Sequence, residues 1–417
     1  MSARDVIDQL KDLRTRTADA NGAQRVAWGP VWREARHWLD GIVTGMGLRQ
    51  ETDESGNNWI TLSGDSSKTV IIGGHLDSVP NGGWLDGPLG VLAGIEALRR
   101  YQGATPPVTL AVVDFADEEG ARFSRSLLGS AGASGTLVPD SVRHLVDRDG
   151  VRLVDALAEN GVELDRMPTA KARLMARDPR AYLELHIEQG PVLESMGLPA
   201  AAVIGTYGVE RHVLRFTGQA AHSGSTPVSM RKDAFLAAAE TALACRDIAR
   251  RLARPDQGPS GGLVCTVGTV SVEPGIVTAV PGVCEMSLDQ RALDADVLAE
   301  ALAQARVAAD AAARGNGVSV EWRHVWRIEP RRFDPALVDL CAEAVHEVTG
   351  HAPRLPSGPL HDAVEMGRLM PAVMMFAYSS RGLSHCKEED TPEPHLAQAI
   401  EAFQGLVDKT IARVAAS

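Results

Sequence analysis

Aromatic side chains are scarce, 4% of the 417 residues, and the five cysteines include no CxxC pair. Few aromatics leave little surface on which nucleic-acid bases could stack. Positive charge is also short: 42 Lys and Arg stand against 54 Asp and Glu, a net charge of −12. That balance opposes phosphate backbones and anionic membrane surfaces, so neither a nucleic acid nor a membrane is expected as a partner. Cys245, Cys265, Cys284, Cys341 and Cys386 are odd in number and widely spaced. They argue against a disulfide framework and against a thiolate zinc site, and suit a reducing compartment. No run approaches the roughly twenty apolar residues of a membrane helix. The opening MSARDVIDQLKDLRTRTAD is charged throughout and lacks the apolar core of a signal peptide, so a cytoplasmic protein is expected. GDSSKT at Gly64 lacks the spacing of a phosphate-binding loop.

What is present is an ordinary globular balance, 44% hydrophobic and 23% charged, in a chain whose length implies two domains. The segment Val70 to Val91 reads as a strand that breaks at Gly73-Gly74, a turn-rich loop carrying His75, Asp77 and Asp86, and a helix from about Leu89. Side chains just beyond the carboxyl end of a strand lie where α/β sheets bind ligands. VTLAVVDF (Val108 to Phe115) is a buried-strand run leading into Asp117-Glu118-Glu119-Gly120, and AYLELHIEQG delivers His186 toward Gly190. PAVMMFAY, a fourth buried strand, precedes His385 in RGLSHCKEEDT. Between these lies a different pattern. Arg211 to Gly218 is a strand, and a helix follows whose apolar face includes Phe235, Leu236, Ala239, Leu243 and Leu252. Strands at Gly262 to Val272 and Gly282 to Arg291, an Ala-rich helix at Ala295 to Arg314 and a strand VSVEWRHVW complete it. The order β-α-β-β-α-β is that of a ferredoxin-like unit. The expected fold is therefore α/β, a mostly parallel-stranded catalytic domain of residues 1–210 and 330–417 with a ferredoxin-like domain, 211–329, inserted.

His75, Asp86, Glu119, His186 and His385 offer imidazole nitrogens and carboxylate oxygens, the donors that zinc and similar divalent ions take. Singly, each has a plainer explanation. Glu118-Glu119 could begin a solvated helix, where acids are favoured by the dipole, and His186 could be a core histidine. Jointly, five donors from four strand ends suit two ions sharing one carboxylate, about 3.5–4 Å apart. Glu118, beside a ligand, is left to take a proton from an activated water and pass it to a leaving nitrogen.

HLDSVPNGGWLDGPLGVLAG, DEEGARF, LELHIEQGPVLE, HSGSTPVSMRKDA and GLSHCKEEDT together resemble the M20 metallopeptidase-like amidohydrolases. HIEQGPVLE points to the hydantoinase/carbamoylase branch, which holds N-carbamoyl-L-amino-acid hydrolases, β-ureidopropionases and allantoate amidohydrolases. The resemblance spans nearly the whole chain and implies that the insert is a lid and dimerisation domain of a homodimer. It implies two divalent ions per subunit, zinc or manganese with cobalt or nickel as alternatives. His75, Asp86 and His186 would hold one ion and Asp86, Glu119 and His385 the other, with Asp86 bridging. Asp77 would hydrogen-bond His75, and Glu118 would be the base. Gln189, His222, Arg291 and His361 match substrate-handling positions, His222 polarising the scissile carbonyl and Arg291 gripping a substrate carboxylate.

The chain departs from the branch at Thr278, where an asparagine is usual, and at Pro359-Leu360, where a GAGHDA segment is usual. Both changes alter pocket shape and hydrogen bonding. The expected activity is hydrolysis of a linear C–N amide, the carbamoyl group of an N-carbamoyl amino acid or a related small carboxylate. Two alternatives remain at this stage: an M20-type dipeptidase or aminoacylase, against which HIEQG speaks, and a non-catalytic dimeric metal-binding protein, against which the intact Glu118 speaks.

Overall fold

The computed structural model describes residues 3–254 and 262–417. Chain contacts divide it into two units, Met1–Ile204 with Phe333–Leu355 and Pro359–Ser417, and Gly205–Arg332 with Pro356–Gly358. In chain order the principal elements of the first part are α1 (Ala3–Thr17), α2 (Pro30–Gly45), β1 (Gln50–Thr52), β2 (Asn58–Leu62), β3 (Thr69–His75), α3 (Pro88–Arg100), β4 (Thr109–Phe115), β5 (Pro179–Ile187) and β6 (Ala200–Thr206). Next come β7 (Gly208–Thr217), α4 (Ala234–Leu252), β8 (Leu263–Thr266), β9 (Val270–Glu273), β10 (Val283–Ala292), α5 (Ala295–Gly315) and β11 (Ser319–Ile328). The chain closes with α6 (Pro335–Thr349), β12 (Ala372–Ala377) and α7 (Glu393–Ala416).

The larger unit is built on a sheet of order β6-β12-β5-β3-β4-β2-β1. Its centre, β12-β5-β3-β4, is parallel, and the flanking strands pair antiparallel. The fold is thus mixed α/β with a mostly parallel central sheet. β3 and β5 are buried along nearly their whole length, as expected of apolar runs covered on both faces. Unlike the sequence-based expectation, β3 does not break at Gly73-Gly74 but runs through to His75. The glycines serve close packing instead, since a Cβ on Gly73 would lie 2.3 Å from the Tyr182 hydroxyl. Parallel register sets Gly73 beside Glu184 and His75 beside Phe115, so β3, β4 and β5 end together.

In the smaller unit the strand order is β8-β10-β7-β11, all antiparallel, with β9 also on β10. The segment expected as a single strand from Gly262 is split into β8 and β9, because the Gly268 and Thr269 amides turn to the Ser287 hydroxyl. The buried side of α4 is also not the one expected. Ala234, Ala237, Ala238, Cys245 and Ile248 face the core, while Phe235, Leu236 and Leu243 are exposed. A stripe of small residues lets the helix lie close on the sheet and turns the bulky ones outward. Among the described residues no helix is long and apolar enough to cross a membrane.

Candidate metal centre

The ends of β3 and β5 set His75 and His186 with ring centroids 6.0 Å apart. The Nδ1 of His75 is 3.1 Å from the Asp77 carbonyl oxygen, and that of His186 is 2.8 Å from the Ile187 carbonyl. A carbonyl can only accept, so each Nδ1 carries a proton, which leaves Nε2 as the nitrogen that a metal ion could take. Both Nε2 atoms face Asp86, at 3.8 Å and 3.0 Å from its Oδ1. Nε2 of His75 is buried and has no hydrogen-bond partner among the described residues. On the other side of Asp86, Oδ2 lies 3.4 Å from His385 Nε2, which is itself 3.3 Å from Glu119 Oε2. Candidate ligand atoms of His75, Asp86 and His186 all lie within 4.8 Å of one another, as do those of Asp86, Glu119 and His385. Asp86 is common to both groups.

Acids predominate in this region. Asp77, Asp86, Asp114, Asp117, Glu118, Glu184, Asp362 and Glu389 are all buried. Burial raises Glu118 well above the usual carboxylate range; His75 opposes the shift, while Asp362 and Glu119 add to it. Burial and the neighbouring Asp86 push Glu119 up to about 7. Buried like charges of this density are costly unless cations join them. A surplus of acids around an orphaned imidazole nitrogen fits divalent ions.

Asp77 has a contact that its motif did not imply. Its carboxylate is 3.6 Å from His75 Nδ1 but accepts the main-chain N–H of Glu118 and of Glu119, each at 3.2 Å. It orients the acids as well as flanking the imidazole. Gln189 donates from Nε2 to Asp86 Oδ2 at 2.8 Å and to Ser384 Oγ at 3.1 Å. His361 stacks edge-on against His186 at 4.4 Å and is held well below the usual imidazole range by burial and by that neighbour. Glu184, with His186 and His361, forms a further donor group that sequence reasoning missed.

His222 and Arg291 belong to the smaller unit. His222 is exposed, and its Nδ1 accepts the N–H groups of Gly224 and Ser225 at 3.1 and 3.2 Å, which leaves Nε2 as the donor. Arg291 donates from Nε to Asp289 Oδ1 at 2.8 Å, and Arg211 donates to Oδ2 of the same carboxylate at 2.6 and 2.8 Å. These side chains border a cleft of about 520 Å³ with Tyr207, Val264 and Thr266. Two guanidinium groups against one carboxylate leave a single positive charge there.

The family model for peptidase family M20/M25/M40 matches residues 71–409. The chain belongs to that family. Among its relatives, an N-carbamoyl-L-amino acid amidohydrolase of Geobacillus stearothermophilus is 35% identical over 92% of each chain. An allantoate amidohydrolase of Escherichia coli is 32% identical, again over 92% of each. A solved amidase of the hydantoinase/carbamoylase family from Burkholderia phymatum superposes with a TM-score of 0.86 at 32% identity, covering 99% of this chain and 98% of that one.

Within this M20 chain three non-glycine residues of the centre, Asp117, Gln189 and His385, have φ of 58°, 57° and 57°. Side chains with a Cβ rarely adopt this left-handed region, and such strain gathers at functional sites. No sequence signal marks this backbone conformation. Gly87, at φ 83°, is visible only as a glycine, yet a Cβ there would sit 2.4 Å from His75 Nδ1.

Proposed function

We propose that this chain is a two-metal amidohydrolase that cleaves a linear C–N amide, releasing the carbamoyl group of an N-carbamoyl amino acid or a related small carboxylate. The reading is carried by one observation: two groups of His and acid donors share Asp86, with Glu118 beside both and in neither. His75, Asp86 and His186 would hold one ion and Asp86, Glu119 and His385 the other, as zinc or manganese, with cobalt and nickel also compatible with such donors. Bound there, divalent ions would activate water and polarise the amide carbonyl. Glu118 accepts the proton of the attacking water and returns it to the departing nitrogen. Burial and neighbouring acids raise its affinity for protons, and a carboxyl group so placed can both take and give one. Asp77 holds Glu118 in place through its main-chain amide.

Substrate contacts fall to Gln189, His361, His222 and Arg291. The Nε2 proton of His222 suits donation to a carbonyl oxygen that gains negative charge. The net positive charge beside Arg291 suits a carboxylate, which a planar guanidinium can bind through two hydrogen bonds. The insert, ferredoxin-like in its element order, is assigned the parts of lid and homodimer contact. Exposure of Phe235, Leu236 and Leu243 on α4 at 42%, 47% and 53% supports a covered surface there. The deciding experiment is a panel of carbamoyl-α-amino acids, carbamoyl-β-alanine, allantoate, N-formyl and N-acetyl amino acids and dipeptides, with manganese and with zinc. Ammonia release from a ureido substrate is expected; turnover of dipeptides alone would overturn the proposal.

A further inference from the structure

Asp86 is carried by a turn, not by a strand or long helix, and the grip on that turn comes from a residue far away in the chain. Glu389, 2% exposed, accepts the main-chain N–H groups of Leu85 and Asp86 on Oε1 at 3.0 and 3.1 Å. Its Oε2 is 3.0 Å from the Ser384 hydroxyl, and that hydroxyl is 2.9 Å from Asp86 Oδ2. Asp390 adds a tie, accepting from Trp84 Nε1 at 3.3 Å. Two loops are thereby joined, the one that bears Asp86 and the one that bears His385. The junction requires Gly83: a Cβ at that position would stand 2.0 Å from the Glu389 carboxyl carbon.

Glu389 lies outside each of the donor groups at the centre. A further buried acid beside Asp86 adds repulsion, so its presence calls for a compensating task. Accepting two buried amides that would otherwise be unpaired is one such task. Offsetting the buried charge of Arg25 is another: burial lowers that guanidinium to about 10, and Glu389 leads the acids that oppose the shift.

We propose that Glu389, admitted by the absent side chain of Gly83, is a positioning residue that clamps the Asp86 turn to the His385 loop and so fixes the carboxylate shared by the two ions. The inference rests on the two-ion reading above. Partners behind metal ligands typically change affinity by about 10–100-fold when removed.

The test uses the full-length chain stripped with chelator, titrated calorimetrically with manganese and with zinc, with bound metal counted by mass spectrometry. Wild type takes up two ions per chain. Glu389→Ala binds about 10–100-fold more weakly, Gly83→Ala shifts in the same direction by displacing the carboxylate, and Glu389→Gln, which keeps an acceptor oxygen, recovers most of the affinity. Circular dichroism of the stripped proteins separates this from unfolding. Should Glu389→Ala not fold, Ser384→Ala decides, with about a 10-fold loss expected. A folded Glu389→Ala, or in its place Ser384→Ala, with wild-type affinity beside a two-ion wild type overturns the clamp alone. A wild type that takes up fewer than two ions overturns the two-ion reading, and the clamp with it.

Discussion

Replacing Glu118 with glutamine separates proton transfer from everything else the centre does. Glutamine has nearly the same volume, and the main-chain N–H that Asp77 holds at 3.2 Å is untouched. The lost group is a carboxylate oxygen 3.8 Å from His75 Nε2, in a residue only 8% exposed. Glu118 is in neither donor group that shares Asp86, so metal uptake should stay at two ions per chain. General acid–base catalysis contributes about 10²–10⁴ in rate. Glu118 is assigned both the proton taken from water and the proton returned to the leaving nitrogen, so the upper part of that range applies. A fall in kcat of about 10³–10⁴ is expected, or about 4–5.5 kcal/mol of transition-state stabilisation. Removing one of several adjacent buried acids should not lower the melting temperature. The assay is ammonia release by the metal-loaded variant, with metal content and thermal melts measured on the same preparation. A two-ion variant within tenfold of wild-type kcat would refute the proton-transfer role; a variant that loses metal would make Glu118 a ligand instead.

Other perturbations bear on the scaffold of the centre. Asp114 pairs with Arg36 at 2.7 Å and accepts the Leu76 amide at 2.8 Å, both on its buried carboxylate. Asp114→Asn leaves a guanidinium without its counter-charge, and urea unfolding should show a loss of about 3–5 kcal/mol; a loss under 1 kcal/mol would deny the pair that weight. Gly87→Ala forces a Cβ into the left-handed region and to 2.4 Å from His75 Nδ1. Bound metal should fall below two ions per chain, and full occupancy would show that the turn yields. Ion uptake should release protons, because metal competes with them. In the ion-free chain Glu119 is lifted to about 7 by burial and Asp86, and His385 to about 9, first by its hydrogen bond to Asp86. Both groups are therefore protonated below those values and must give up the proton to bind. Affinity should fall as pH drops through 9 and again through 7, and calorimetry in buffers of different ionisation enthalpy that shows no proton release at pH 6.5 would contradict this.

How much of this was readable beforehand follows from what each residue depends on. That His75 and His186 close buried strands, and that Glu119 and His385 follow them, is a local property, set by a run of apolar residues and where it stops, so the order of the chain displays it. Convergence then needs only parallel strands in register, which αβ alternation implies. The groups that hold those side chains in place are of another kind. Glu389 reads locally as one acid of KEEDT, and Gly83 as half of a turn; only contact between them reveals that one exists for the other. Asp114 reads as the tail of a hydrophobic strand, and Arg36 as the polar face of α2. The face of α4 was misjudged for a related reason: hydrophobic size marks what is apolar, but the alanine stripe packs because it is small. Which side chains could serve as donors is thus written along the chain, while their placement is written between segments. Variants of the placing residues should accordingly weaken metal affinity while the ligands themselves remain intact.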